Sequence, residues 1–146
     1  PRIWAQSVRL DDGRILVAGG MALEDMPANA FTASVEIYDP ASNKWAAAAP
    51  MTQPRYSHFL FALPNGEVVV LAGARDWECC WAGDSFVRAV ESYDPAADSW
   101  RIVAELPQPR AQAAASMPGH CIWLSGGRWL YTSHAADSWL ICSGSS

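Results

Sequence analysis

Residues 54–74 read PRYSHFLFALPNGEVVVLAGA, and residues 89–100 read AVESYDPAADSW. The first stretch runs from Pro54-Arg55 to Leu63, turns at Pro64-Asn65-Gly66, and continues as Glu67-Val68-Val69-Val70-Leu71-Ala72-Gly73-Ala74. Asn-Gly suits a tight hairpin because both central residues must accept positive φ. Short runs of Val, Leu and aromatics between Gly, Pro, Asn and Asp clusters read as antiparallel strands. Val68 to Leu71 is apolar on both faces, as expected of a strand buried between two stacked sheets.

The same order of parts occurs three times. Pro-Arg stands at Pro1-Arg2, Pro54-Arg55 and Pro109-Arg110, at spacings of 53 and 55 residues. The first unit, 1–53, turns at Asp11-Asp12-Gly13, reaches Gly19-Gly20, and then carries Val35-Glu36-Ile37-Tyr38-Asp39-Pro40 and Trp45. The second, 54–108, matches it with Gly73, Val90-Glu91-Ser92-Tyr93-Asp94-Pro95 and Trp100. The third, 109–146, turns at Pro118-Gly119, reaches Gly126-Gly127, lacks the Tyr-Asp-Pro, and ends with Ala135-Ala136-Asp137-Ser138-Trp139, which matches Ala96 to Trp100. Each unit breaks into four strand-length runs, A to D, with the B–C loop variable and the A–B and C–D turns short. No segment holds a helical period without interruption.

These residues, Pro-Arg, strand to Gly-Gly, Val-Glu-x-Tyr-Asp-Pro and Trp, resemble the kelch repeat, and the resemblance covers essentially the whole chain. It implies an all-β fold: kelch-type β-propeller blades, three four-stranded antiparallel sheets in an incomplete ring, because propellers usually close with about 4–8 blades. In this reading Gly19, Gly20, Gly73, Gly126 and Gly127 permit sharp turning or close approach, and Tyr38, Trp45, Tyr93, Trp100 and Trp139 pack between blades. The uncovered sheets call for further blades in cis or self-association. The chain opens at a unit boundary with Pro1 rather than Met, which suggests an excerpt or a removed leader.

Composition narrows the partners. The 146 residues are 51% apolar and 17% charged, with a net charge of −5. Lys44 is the single lysine and the arginines are scattered, so no nucleic-acid footprint is expected. No apolar stretch approaches the ~20 residues of a membrane helix. Of the cysteines, Cys79, Cys80, Cys121 and Cys142, the adjacent Cys79 and Cys80 lack the spacing of a zinc pair, and cysteine leaves the compartment open.

Strand alternation puts the B–C loops and the starts of the A strands on one face. Variable loops on a rigid scaffold are the usual place for binding. The candidates are Arg75, Asp76, Trp77, Glu78 and Trp81 of the second loop, and Arg128 of the third. The resemblance adds Arg2, Arg55 and Arg110, the arginines that open the A strands. Each could instead bond neighbouring carbonyls, since the guanidinium fork suits both uses. Trp77 and Trp81 could anchor a partner or pack on their own loop.

The expected function is non-catalytic recognition of a protein or carbohydrate, with no cofactor and no metal. The resemblance leaves two alternatives. Copper radical oxidases similar to galactose or glyoxal oxidase share the scaffold; His58, His120 and His134 fall at non-equivalent places and form no ligand set, so in that alternative the chain is a fragment whose active site lies in missing blades. Substrate-recognition propellers of ubiquitin-ligase adaptors share it too.

Overall fold

The computed structural model describes residues 1–22, 31–76, 85–119, 121–130, 133–134 and 137–142. The Asp-Gly and Asn-Gly turns close as read: the Gly13 N–H donates to Leu10 O at 3.0 Å and Gly66 N–H to Leu63 O at 2.9 Å. The first blade orders β2 (Gln6–Arg9), β3 (Ile15–Ala18), β5 (Val35–Asp39) and β6 (Lys44–Ala48) as an antiparallel sheet. The second orders β7 (Phe59–Ala62), β8 (Val68–Leu71), β9 (Ala89–Asp94) and β10 (Ser99–Glu105) in the same way. The third holds β11 (Ala114–Ser116), β12 (Cys121–Ser125) and β15 (Ser138–Cys142).

Blades stack through alternate faces of their strands. Leu16, Ala18, Val35 and Ile37 of the first blade meet Val68, Val70 and Tyr93 of the second in one core. On the opposite face of β8, Val69 and Leu71, with Val90, meet Ile122 and Leu124 of the third. The doubly apolar Val68–Leu71 run is therefore a strand buried on both sides, as its sequence requires. All four of its residues are buried.

Trp100 fixes the first contact. It is half-buried, and its Nε1 donates to Ala49 O of the first blade at 2.9 Å. Asp98 Oδ1 accepts both the Ala49 N–H at 2.8 Å and the Tyr93 hydroxyl at 2.7 Å. The first-blade counterpart, Tyr38 to Asn43 Oδ1, measures 2.8 Å. Asn43 and Asp98 both take left-handed backbone, φ 53° and 47°, which explains an Asn or Asp two residues before Trp45 and Trp100. Trp45, the register counterpart of Trp100, is 57% exposed. It lies on the outer face of the first sheet, which no described blade covers.

The third blade corrects the reading of Trp139. Asp137-Ser138-Trp139 is not a fourth-strand start: β15 pairs directly with β12, with Leu124 opposite Trp139. It thus occupies the third-strand place, where β9 sets Glu91 opposite Val70. Matching Asp-Ser-Trp by identity placed it one strand too far along.

Left-handed backbone marks the end of each B strand. Positive φ occurs at Gly19 and Gly20, at Ala72 and Gly73, and at Gly126 and Gly127. In the second unit Ala72 takes the place of the first glycine of the pair. The second position demands glycine: a Cβ on Gly73 would sit 2.8 Å from Tyr56 O, and one on Gly127 2.9 Å from Ala111 O.

Candidate binding face

Past the glycine pair, each B strand bends into a second short ladder that carries the B–C loop. In the first blade β1 (Arg2–Ile3) pairs with β4 (Met21–Ala22), and Met21 bridges Phe31. In the second, Ala74 bridges both Tyr56 and Phe86. In the third, β13 (Arg128–Leu130) pairs with β14 (Ser133–His134), Arg128 opposite His134. Tyr56, Ala74, Phe86 and Ala111 form a separate small core beneath this face. Phe31 stacks on Tyr56 at 4.5 Å, and Trp4 lies tilted on Tyr56 at 5.7 Å. The face is thus floored by its own apolar layer, and Tyr56 ties two blades together within it.

The arginines that open the A strands lie below the face. Arg55 and Arg110 are fully buried. Arg55 donates from Nη1 to Ala72 O at 3.2 Å and from Nη2 to Glu91 Oε1 at 2.5 Å. Its carbonyl accepts the Gly20 N–H of the preceding blade at 2.7 Å. Glu91 Oε2 also accepts the Thr52 N–H at 2.8 Å. One residue therefore joins its own B and C strands and the neighbouring blade. Arg2 repeats the pattern with Gly19 O at 3.2 Å and Glu36 at 2.5 Å. Arg110 does so with Gly126 O at 3.0 Å and Asp137 at 3.2 Å. Asp137 stands two residues before the register place of Glu91, on the same side of the strand, and so supplies the carboxylate that Trp139 displaces. Arg110 in turn holds the Asp137 carboxyl below its usual range. Arg55 and Arg110, expected at the ligand face, are thus buried and engaged within and between blades, with Nε of each left without a hydrogen-bond partner.

Two residues beyond each arginine the backbone turns left-handed at a non-glycine residue: Trp4 at φ 57°, Ser57 at 52° and Gln112 at 53°. Such a conformation is uncommon outside glycine, asparagine and aspartate. Here it recurs at one register position in three blades. Trp4 and Gln112 are exposed and Ser57 is half-buried. Sequence reading missed these positions because Trp, Ser and Gln share no chemistry; their constant offset from Pro-Arg was the available signal.

Beside them, Arg75, Phe86, Arg88, Ile102, Glu105 and Pro109 line a cleft of 390 Å³. Arg88 donates from Nε to Leu106 O at 3.1 Å, and Arg75 lies 3.9 Å from Asp76. Asp76 contributes its carbonyl to the Tyr56 hydroxyl at 3.1 Å. Trp77, Glu78 and Trp81, with Cys79 and Cys80, lie outside the described residues.

His58 is buried between Gly19 and Gly73, below this face. Burial first, then the Arg55 charge, lowers its pKa to about 3. His134 lies on β14, and His120 is outside the described residues. Among the described residues no three His, Cys, Asp or Glu side chains gather as a metal site, and no helix is long and apolar enough to cross a membrane.

Residues 7–52 match the model of the Kelch motif. The chain is 30% identical over 115 residues to Kelch-like protein 36 of Rattus norvegicus, covering 79% of this chain and 18% of that protein. It is 33% identical over 105 residues to the F-box/kelch-repeat protein OR23 of Arabidopsis thaliana, covering 66% and 23%. The chain thus spans less than a quarter of these relatives' length. The solved structure of YjhT superposes with a TM-score of 0.81 over 97% of this chain and 49% of that one, at 21% identity.

Proposed function

The chain belongs to the kelch-repeat β-propeller family, and on that premise we propose that it is a non-catalytic module that binds a protein through its B–C loop face. The recurrence of Trp4, Ser57 and Gln112 in strained backbone, at one place in three blades, carries this reading. Left-handed non-glycine residues persist only where the surrounding structure over-determines them, and they concentrate at functional sites. The Arg75–Arg88 cleft beside them suits an acidic side chain, and Trp4 offers an aromatic anchor of the kind that dominates protein interfaces. Relatives whose names carry kelch repeats beside an F-box support a protein partner over a carbohydrate.

The outer face of the first sheet has a second role in this proposal. Ile15, Val17, Tyr38 and Trp45 repeat the register of Val68, Val70, Tyr93 and Trp100, the face that the first blade covers. It is fitted to receive another blade.

The test is affinity capture from the source cells with the chain and two variants, identified by mass spectrometry. Trp4→Ala/Gln112→Ala should lose the proteins that the unaltered chain captures. Asp11→Ala/Asn65→Ala, on the opposite face, should retain them. Equal loss in both variants, or in neither, refutes the assignment.

A further inference from the structure

We propose that Cys121 and Cys142 form a structural disulfide that does in the third blade what the Asp-Pro turn does in the other two, so that the chain reaches its stable form only in an oxidising compartment. The inference goes beyond the binding reading and does not depend on it.

Register carries the argument. Ile122 pairs with Ile141 as Val68 pairs with Tyr93 and Ile15 with Tyr38. Cys142 therefore stands where Asp94 and Asp39 stand, at the end of the third strand. In the first two blades that aspartate begins a turn: Asp39 accepts the Ala41 N–H at 2.9 Å and the Ser42 hydroxyl at 2.6 Å. Asp94 accepts the Ala96 N–H at 2.8 Å. The turn leads into β6 or β10, which pairs along the outer edge of the third strand.

The third blade has neither device among its described residues. Its third strand, β15, pairs with β12 alone. Asp137, at the near end, is held by Arg110. At the far end Cys142 is bonded to its register partner Cys121. The covalent bond thus lies where turn and fourth strand would otherwise hold the blade. β15 in turn covers apolar surface of the second blade, with Ile141 packed against the cluster that holds Val69 and Val90.

The bond forms by thiol–disulfide exchange. A Cys121 or Cys142 thiolate attacks the disulfide of an oxidising donor, releasing one donor thiol. The second cysteine thiolate then displaces the other donor sulfur, so the donor leaves as a dithiol and the two cysteines as a cystine. Cys142 is exposed, as the exchange requires. Such bonds persist in secreted, periplasmic and cell-surface proteins and are rare where glutathione and thioredoxin keep thiols reduced.

The full chain, exported into an oxidising compartment and alkylated before digestion, should yield tryptic peptide 111–128 linked to 129–146, the pair separating on reduction. Reduction should lower Tm by about 10 °C, the shift expected of a loop of this length in a chain of this size. It should also speed amide exchange at 138–142 while leaving 68–71 unchanged. The same shift in Cys79→Ser/Cys80→Ser would assign it to this pair. Cys121→Ser/Cys142→Ser should melt at the reduced Tm and ignore reductant; should that variant not fold, the oxidised and reduced wild type decide the question. Recovery of Cys121 and Cys142 as free thiols from the exported chain, or an unchanged Tm on reduction, would overturn the proposal.

Discussion

Arg55 Nη2 lies 2.5 Å from Glu91 Oε1, and neither side chain reaches solvent. The pair closes the second blade and, through Arg55 O and Glu91 Oε2, grips the first. Removing one partner leaves a buried charge uncompensated. Arg55→Ala should therefore cost about 3–5 kcal/mol, measured by urea unfolding. The first-blade pair, Arg2 with Glu36, has side chains 20% and 43% exposed, and Arg2→Ala should cost no more than about 1 kcal/mol. Equal losses would show that burial is not what separates them.

Trp100 and Trp45 hold the same register place, and their environments predict opposite outcomes. Trp100→Ala removes an inter-blade contact and the hydrogen bond to Ala49 O. It should lower stability by about 2–4 kcal/mol. Trp45→Ala, at an exposed site, should change it by less than about 1 kcal/mol. Paired denaturation curves check both values.

His58 makes stability depend on pH. Its folded pKa, about 3, lies below the ordinary histidine value of about 6.5. Between those values the unfolded chain takes up a proton that the folded chain refuses. Stability should therefore be fully present above pH ~6.5 and fall by up to ~1.4 kcal/mol per pH unit as pH drops toward 3. Comparing pH 7 with pH 5 isolates this histidine from carboxylates such as Asp98, which the Ala49 N–H and Tyr93 hydroxyl hold low and which lose their contribution only at more acid pH. His58→Ala, the residue found at the matching positions Ala5 and Ala113, should flatten the pH 5–7 profile. An unchanged slope would place the titration elsewhere.

The blades were legible because their signals are local. Asn65-Gly66 fixes a hairpin, and Val68–Leu71 can satisfy four apolar residues only between two sheets. What escaped the sequence depends on what lies across the chain. Arg55 reads the same whether it meets a ligand or Glu91, and the choice is made by the first blade covering it. Trp45 and Trp100 are the same residue in the same motif, yet only Trp100 has a neighbour to pack on. Asp137-Ser138-Trp139 repeats Asp98-Ser99-Trp100 in letters and not in place, because Arg110 draws Asp137 to the third strand. The left-handed turns at Trp4, Ser57 and Gln112 leave no compositional mark, since nothing in those side chains asks for positive φ.

The proposed function divides labour along each A-strand start: the arginine holds the blade, and the residue two places on is the one assigned to the partner. The direct measurement is capture of the partner by folded Trp4→Ala/Gln112→Ala, with folding verified by a cooperative urea transition. Capture should be lost while the unfolding free energy falls by no more than the ~0.5–1.5 kcal/mol of the Trp4–Tyr56 ring contact. Undiminished capture by that folded variant would contradict the account and move recognition to another face.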